Sequence, residues 1–175
     1  MARLVVLSGL PGAGKSTLAK ALAVATGAVW LRIDSIEQAI RDAGVVPGPL
    51  DDAGYRAAQA AARDNLVLGR DVVADCVNGW TLTRDAWRAT GLASGAEVLE
   101  VEVVCSDIEE HRRRVEARAS DIAGLVLPDW NAVVGRDYHP WNRERLVVDT
   151  AGRTIDASVQ TLIAALARPG AEPES

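Results

Sequence analysis

Residues 9–17 read Gly9-Leu10-Pro11-Gly12-Ala13-Gly14-Lys15-Ser16-Thr17 and satisfy the pattern G-x-x-x-x-G-K-[ST] in full. A short apolar run, Leu4 to Leu7, precedes them, and a helical pattern from about Lys15 to Ala25 follows and stops at Gly27. This order of buried strand, glycine-rich turn and helix distinguishes the motif from an ordinary glycine-rich turn. Glycines let the backbone turn tightly, so that successive N–H groups point inward at an anion. The helix that follows adds its positive end. Lys15 reaches the β- and γ-phosphates as a point charge, and the Ser16 hydroxyl is a hard oxygen ligand suited to Mg²⁺. Thr17 packs, caps or touches the α-phosphate. The expected ligand is a nucleoside triphosphate with magnesium.

The rest of the chain alternates in the same way. Further strands are expected over 28–33, 71–76, 98–105 and 146–149. Helices are expected over 35–42, 53–68, 83–89, 107–118 and 158–167, with Thr81 or Thr83 capping the third of these and Ser106 or Asp107 the fourth. Residues 45–52 read as a loop. Five short strands between helices predict an α/β fold, a mostly parallel sheet with helices on both faces. Residues 1–168 are expected to form one domain and 169–175 a frayed tail. In such sheets ligands sit outside the carboxyl ends of the strands. That rule sets Ser8, Asp34, Asp75, Ser106 and Asp149 along one edge.

At 175 residues and 49% hydrophobic content, the chain can fill a real core. A net charge of −5 gives no general attraction to nucleic acid or anionic membrane. No run approaches a membrane span and the N-terminus lacks a signal-peptide pattern, so a cytoplasmic location is the default. Cys76 and Cys105 end apolar runs without metal-ligand spacing and read as small, buried, reduced side chains.

Asp34 either caps the next helix or serves as a general base for an acceptor hydroxyl, and the two roles are compatible. Asp75 ends Val72-Val73-Ala74 and reads as a ligand of magnesium or its water, or as a substrate contact. Asn78 either hydrogen-bonds a substrate or makes a turn with Gly79. The stretch Asp149-Thr150-Ala151-Gly152 is either an adenine-contacting loop or a plain connection. Arg112, Arg113, Arg114 and Arg118 lie on one helix, where Arg114 and Arg118 share a face and Ile108 and Val115 share a buried one. Arg118 borders an irregular segment, about 119–138, which is expected to be a lid, and Arg136 is a second arginine able to meet a transferring phosphoryl group. Trp130, Tyr138 and Trp141 either wall a substrate or seal the lid, and His139 before Pro140 reads as structural.

Together these residues resemble the small-molecule kinase branch of P-loop proteins, which includes gluconate, shikimate and adenylylsulfate kinases, chloramphenicol phosphotransferase and the zeta-toxin kinases. The likeness is nearest to bacterial AAA-type or zeta-toxin-like kinases. It covers nearly the whole chain and rests on the phosphate loop, His111-Arg112-Arg113-Arg114-Val115, Leu127-Pro128-x-Trp130, Arg136-Asp137-Tyr138-x-Pro140-Trp141 and Val148-Asp149-Thr150-Ala151. The resemblance implies a three-layer α/β/α P-loop NTPase fold with sheet order 2-3-1-4-5, a lid before the fifth strand, and ATP as donor. It implies that Asp34 matches the acid used as base in the phosphotransferase branch, and that Arg118 and Arg136 meet phosphate. The chain carries no gluconate, shikimate or sulfate signature. The expected activity is γ-phosphoryl transfer to a hydroxyl of a small polar metabolite or antibiotic-like compound, by a monomer or homodimer. The alternatives are a regulatory ATP-hydrolysing protein and a polynucleotide 5′-hydroxyl kinase.

Overall fold

The first strand shows why a continuous apolar run is needed at the centre of this molecule. In the computed structural model, which describes residues 1–44 and 48–167, β1 (Arg3–Ser8) pairs in parallel with β3 (Val72–Asp75) on one side and β4 (Glu97–Val104) on the other. β2 (Val29–Arg32) adds to β3, and β5 (Leu146–Asp149) adds to β4. The result is an all-parallel five-stranded sheet of order β2-β3-β1-β4-β5. Both the sheet and its order match the expectation.

Side chains alternate across the sheet, so β1 feeds two cores. Val5 and Leu7 join Val73, Val101, Val103 and Val148 on the face covered by α1 (Lys15–Thr26) and α7 (Ile155–Leu166). Leu4 and Val6 join Val72 and Ala74 on the face covered by α3 (Ala53–Val67) and α4 (Thr81–Ala93). Gly91 lets α4 press onto the sheet: a Cβ there would lie 2.3 Å from Val98 Cγ2. Beyond α4, the same face of β4 presents Glu100 and Glu102, and the segment before β5 covers them. Arg143 grips Glu100 through Nε at 2.7 Å and Nη2 at 2.6 Å, and Arg145 Nη2 bonds Glu102 at 2.7 Å.

Several boundaries differ from the sequence reading. β2 stops at Arg32 because β3, its only ladder partner, stops opposite at Asp75. Ile33 and Asp34 therefore open α2 (Ile33–Asp42), and Arg32 holds the N-cap position without a side-chain cap bond. Asp34 is thus no cap; it lies in the first turn, where its charge suits the helix dipole. α4 begins after Trp80, so neither Thr81 nor Thr83 is its cap, and it runs four residues beyond Ala89. Asp107, not Ser106, caps α5 (Ile108–Ala117) by accepting from the Glu110 N–H. Ile108 is 68% exposed, since His111 and Val115 form the inward face of α5. The irregular segment holds one short helix, α6 (Trp130–Val134), and α7 starts at Ile155 behind a Thr154 cap. Pro47 of the expected loop and the tail from Pro169 lie outside the described residues.

One fully buried cation ties the region after β3 to the segment before β5. Arg84 of α4 donates to the carbonyls of Asn78 at 2.9 Å, Gly79 at 3.1 Å, His139 at 2.9 Å and Pro140 at 3.3 Å. Its guanidinium stacks on Trp141 and Tyr138, 4.1 Å and 4.9 Å from the ring centroids. The two aromatics thus seal this joint. His139 belongs to it as well, its Nδ1 accepting from the Thr81 N–H at 3.3 Å. Arg84→Met would strand these carbonyls, at a cost of about 3 kcal/mol. The expected result is a melting temperature lower by on the order of 10 °C for a chain of this size, read by differential scanning calorimetry. A shift under about 2 °C would show that the joint is not held by Arg84.

Candidate active site

The phosphate loop is held open by its neighbours. Gly9 has φ +146°, and a Cβ there would lie 2.2 Å from the Val103 carbonyl oxygen, so only glycine passes that strand. Gly12 has φ +83° and faces Val115 Cγ2, which a Cβ would meet at 2.5 Å. His111, buried on α5, meets the Pro11 carbonyl at 2.9 Å through Nε2. A carbonyl only accepts, so Nε2 carries the proton. The edge of Trp130 packs on this ring at 5.3 Å between centroids.

On the other side, Thr150 donates its hydroxyl to the Ala13 carbonyl at 2.9 Å and accepts from Arg114 Nη1 at 2.7 Å. Arg114 Nη2 also bonds the Thr150 carbonyl at 3.0 Å. Glu110 accepts from the Gly152 N–H at 3.0 Å. α5 and the turn after β5 therefore grip the loop together. That turn is shaped by Asp149, whose carboxyl is held low chiefly by the Ser106 hydroxyl and also accepts from the Ala151 N–H.

Inside the loop Lys15 is 8% exposed and its Nζ donates to the Leu10 carbonyl at 2.9 Å. Burial lowers its pKa, and the charges of Asp75 and Asp34 partly restore it. Asp75, at the end of β3, is 3% exposed. Burial raises its pKa, against the pull of Lys15 and of the Ser16 hydroxyl beside it. Its Oδ2 has no hydrogen-bond partner among the described residues. A buried, unpartnered carboxylate oxygen next to a hydroxyl is a pair of hard donors that fits Mg²⁺, which usually takes one or two protein ligands beside phosphate and water.

A cleft of about 1330 Å³ opens over these groups. Pro11, Gly12, Gly14, Lys15, Ser16 and Thr17 form its floor. Asp34, Asp75, Arg114, Arg118, Arg136 and Thr150 line its walls. Gly9, Leu10 and Ala13 of the loop lie outside the lining, as do Ala151 and Gly152. Asn78 does not reach the cleft either. It is 1% exposed, has φ +50°, and donates from Nδ2 to the Ser8 hydroxyl at 2.9 Å. It makes the turn behind Asp75. Cys76 and Cys105 are both free and buried.

Arg114 and Arg118 do not share a helix face. Arg118 is the C-cap residue of α5, with extended φ −73° and ψ 141°, so it leaves the helix. Its Nε and Nη2 are buried without hydrogen-bond partners among the described residues. Burial lowers its pKa, Asp34 raises it and Arg136 lowers it further, so these three groups feel one another. Arg112 pairs with Glu116 at 2.8 Å on the surface.

The cleft also has walls that the sequence reading missed. Arg32, Glu37, Gln38 and Arg41 line it from β2 and α2, and Asp121 lines it from the irregular segment after α5. Glu37 bonds Arg41 at 3.3 Å, and Gln38 bonds Asp42 at 2.8 Å. The i,i+4 spacing of Glu37 and Arg41 was a readable signal. For Arg32 there was none, because its direction depends on where β2 ends.

The AAA_33 family model, described as an AAA domain, matches residues 4–127. Uncharacterized protein Rv2004c of Mycobacterium tuberculosis is 31% identical over 174 residues, covering 79% of this chain and 34% of its own length. The same figures hold for Uncharacterized protein Mb2027c of Mycobacterium bovis. The chain thus spans about a third of the length of the curated relatives it matches. Among solved structures, the APS kinase CysC of Mycobacterium tuberculosis in complex with AMPPNP and APS is similar with a TM-score of 0.70 at 22% identity, covering 95% of this chain and 98% of that one. A gluconokinase from Sinorhizobium meliloti 1021 gives 0.64 at 22% identity, over 94% and 91% of the two chains. Kti12 of Chaetomium thermophilum in complex with ADP-AlF3 gives 0.65 at 22% identity, over 94% and 100%. These likenesses show a shared fold.

Proposed function

The chain belongs to the AAA_33 family of AAA domains, and from that premise we propose that it is an ATP-dependent kinase acting on a hydroxyl of a small polar molecule. One observation carries the reading. The phosphate loop, an exposed carboxylate at Asp34 and the partnerless nitrogens of Arg118 face a single cleft of about 1330 Å³. That volume exceeds what one drug-sized ligand fills and has room for nucleotide and acceptor together.

Lys15 and the loop amides hold the β- and γ-phosphates, while Arg114 and Thr150 flank the nucleotide from the β5 side. Ser16 and Asp75 would hold magnesium, which when bound offsets phosphate charge. Asp34 takes the proton as the acceptor oxygen bonds to the γ-phosphorus and the bond to the β-phosphate oxygen breaks, releasing ADP. Arg118 and Arg136 balance the charge that spreads over the transferring group. Phosphoryl transfer asks for little covalent help, and the cleft supplies mainly position and charge.

A panel of sugars, hydroxy acids, nucleosides and aminoglycosides, assayed for acceptor-dependent ADP release with Mg·ATP, tests the proposal. At least one class is expected to raise ADP formation about tenfold or more over the basal rate. Mg·ATP binding with no acceptor effect would replace the kinase reading by that of a regulatory ATPase. Stimulation by oligonucleotides alone would turn it into a polynucleotide 5′-hydroxyl kinase.

A further inference from the structure

The ion pairs around the acceptor side of the cleft are incomplete. Arg41 is matched by Glu37, but Arg118 and Arg136 have no carboxylate partner among the described residues. Arg32 is the fourth guanidinium on this side, at the end of β2. Its side chain is 17% exposed, and its Nε, buried without a hydrogen bond among the described residues, lies 4.0 Å from Asp75 Oδ2 in a long ion pair. Its one close partner is Asp121, whose two carboxylate oxygens accept from Nη1 at 2.8 Å and 2.9 Å.

The two members of this pair differ in kind. Arg32 is mostly buried on a strand end, whereas the Asp121 side chain is 73% exposed on the irregular part of the lid. An ion pair with an exposed partner contributes little to stability, so little holds Asp121 in place. Without Asp121, the mostly buried guanidinium would keep Asp75 at 4.0 Å but lose both acceptors of its Nη1, which is costly. The fork geometry of arginine suits a planar or tetrahedral oxyanion equally.

Resting on the kinase reading above, we propose that the acceptor carries an acid group, carboxylate, sulfate or phosphate, which displaces Asp121 and binds Arg32. Asp121 occupies the place of that group until the acceptor arrives. The exchange couples acceptor entry to release of the lid residue 121 from β2. Arg32 thereby selects for charge on the acceptor.

The test uses the whole chain loaded with Mg·AMPPNP and sodium sulfate as probe, at constant ionic strength. Binding is read from the Nε–Hε NMR signal of Arg32, assigned by its disappearance in Arg32→Lys. Asp121→Ala is expected to tighten sulfate binding at Arg32 about threefold to fivefold, as much as so weak an ion pair can withhold. In the panel, acidic acceptors should exceed their neutral amides about 100-fold in kcat/KM. Equal sulfate affinity in wild type and Asp121→Ala, or no response of the Arg32 signal, overturns the proposal. So does a panel in which only neutral compounds are phosphorylated. If Mg·AMPPNP fails to bind, the kinase reading falls on its own, while the Arg32 signal still reports the exchange with sulfate in the empty loop.

Discussion

Lys15→Met is expected to abolish the stabilisation of this protein by Mg·ATP. For the wild type, ligand at a hundred times its Kd adds about 2.7 kcal/mol, or a rise in melting temperature of roughly 5–10 °C for a chain of this length. The variant should show none up to millimolar nucleotide. Methionine retains the length and volume of the buried stem, so the 8% exposed position stays filled. What disappears is the ammonium that leaves the Leu10 carbonyl to meet phosphate. The same change has a pH signature in the nucleotide-free protein. Burial puts the folded-state pKa of Lys15 below its unfolded value. Between the two, the unfolded chain binds more protons, so this group makes stability rise with pH up to about 10.4. Melting temperatures taken from pH 7 to 10 should climb less steeply in Lys15→Met than in the wild type. A variant that still responds to Mg·ATP like the wild type would remove the phosphate loop from the function altogether.

Asp34→Asn is the second large effect, and it falls on turnover. Asparagine is nearly isosteric and Asp34 is exposed in the first turn of α2, outside every core cluster. Stability should change by no more than about 1 kcal/mol, the value of a charge at a helix N-terminus. Nucleotide affinity should stay within about threefold, since Asp34 belongs to α2 and not to the loop that holds the phosphates. The acceptor-dependent rate should fall by about 10²–10⁴, the usual contribution of a positioned general base. Steady-state kinetics with the acceptor found in the panel, beside a nucleotide-binding isotherm, separates the two. An unchanged kcat would take Asp34 out of the proton transfer and leave phosphoryl transfer to charge and position alone.

These variants touch residues that stood out before any coordinates, and the reason is local. A phosphate loop is contiguous: its glycines, lysine and serine act through their own backbone and the helix they start. The strands were legible because a parallel strand buried on both faces must be apolar throughout, as Leu4 to Leu7 are. Ends were less legible. β2 stops where β3 stops, and that turns Asp34 from a cap into a first-turn acid. Asn78 and Arg32 show the same dependence. One sits beside a Walker-type strand end yet is sealed between Ser8 and Arg84. The other lies within a strand reading and emerges as a wall of the cleft.

From residue order alone came the parallel α/β sheet, the anion-binding turn and the acids at the strand ends, because periodicity and backbone geometry are short-range. Only the folded chain decided that His111 and Thr150 clamp the loop, that Arg84 locks the segment before β5, and that Asp121 meets Arg32 across 89 positions. Contacts between distant segments follow from how helices settle on the sheet. No local pattern encodes which side chain of one will reach the other.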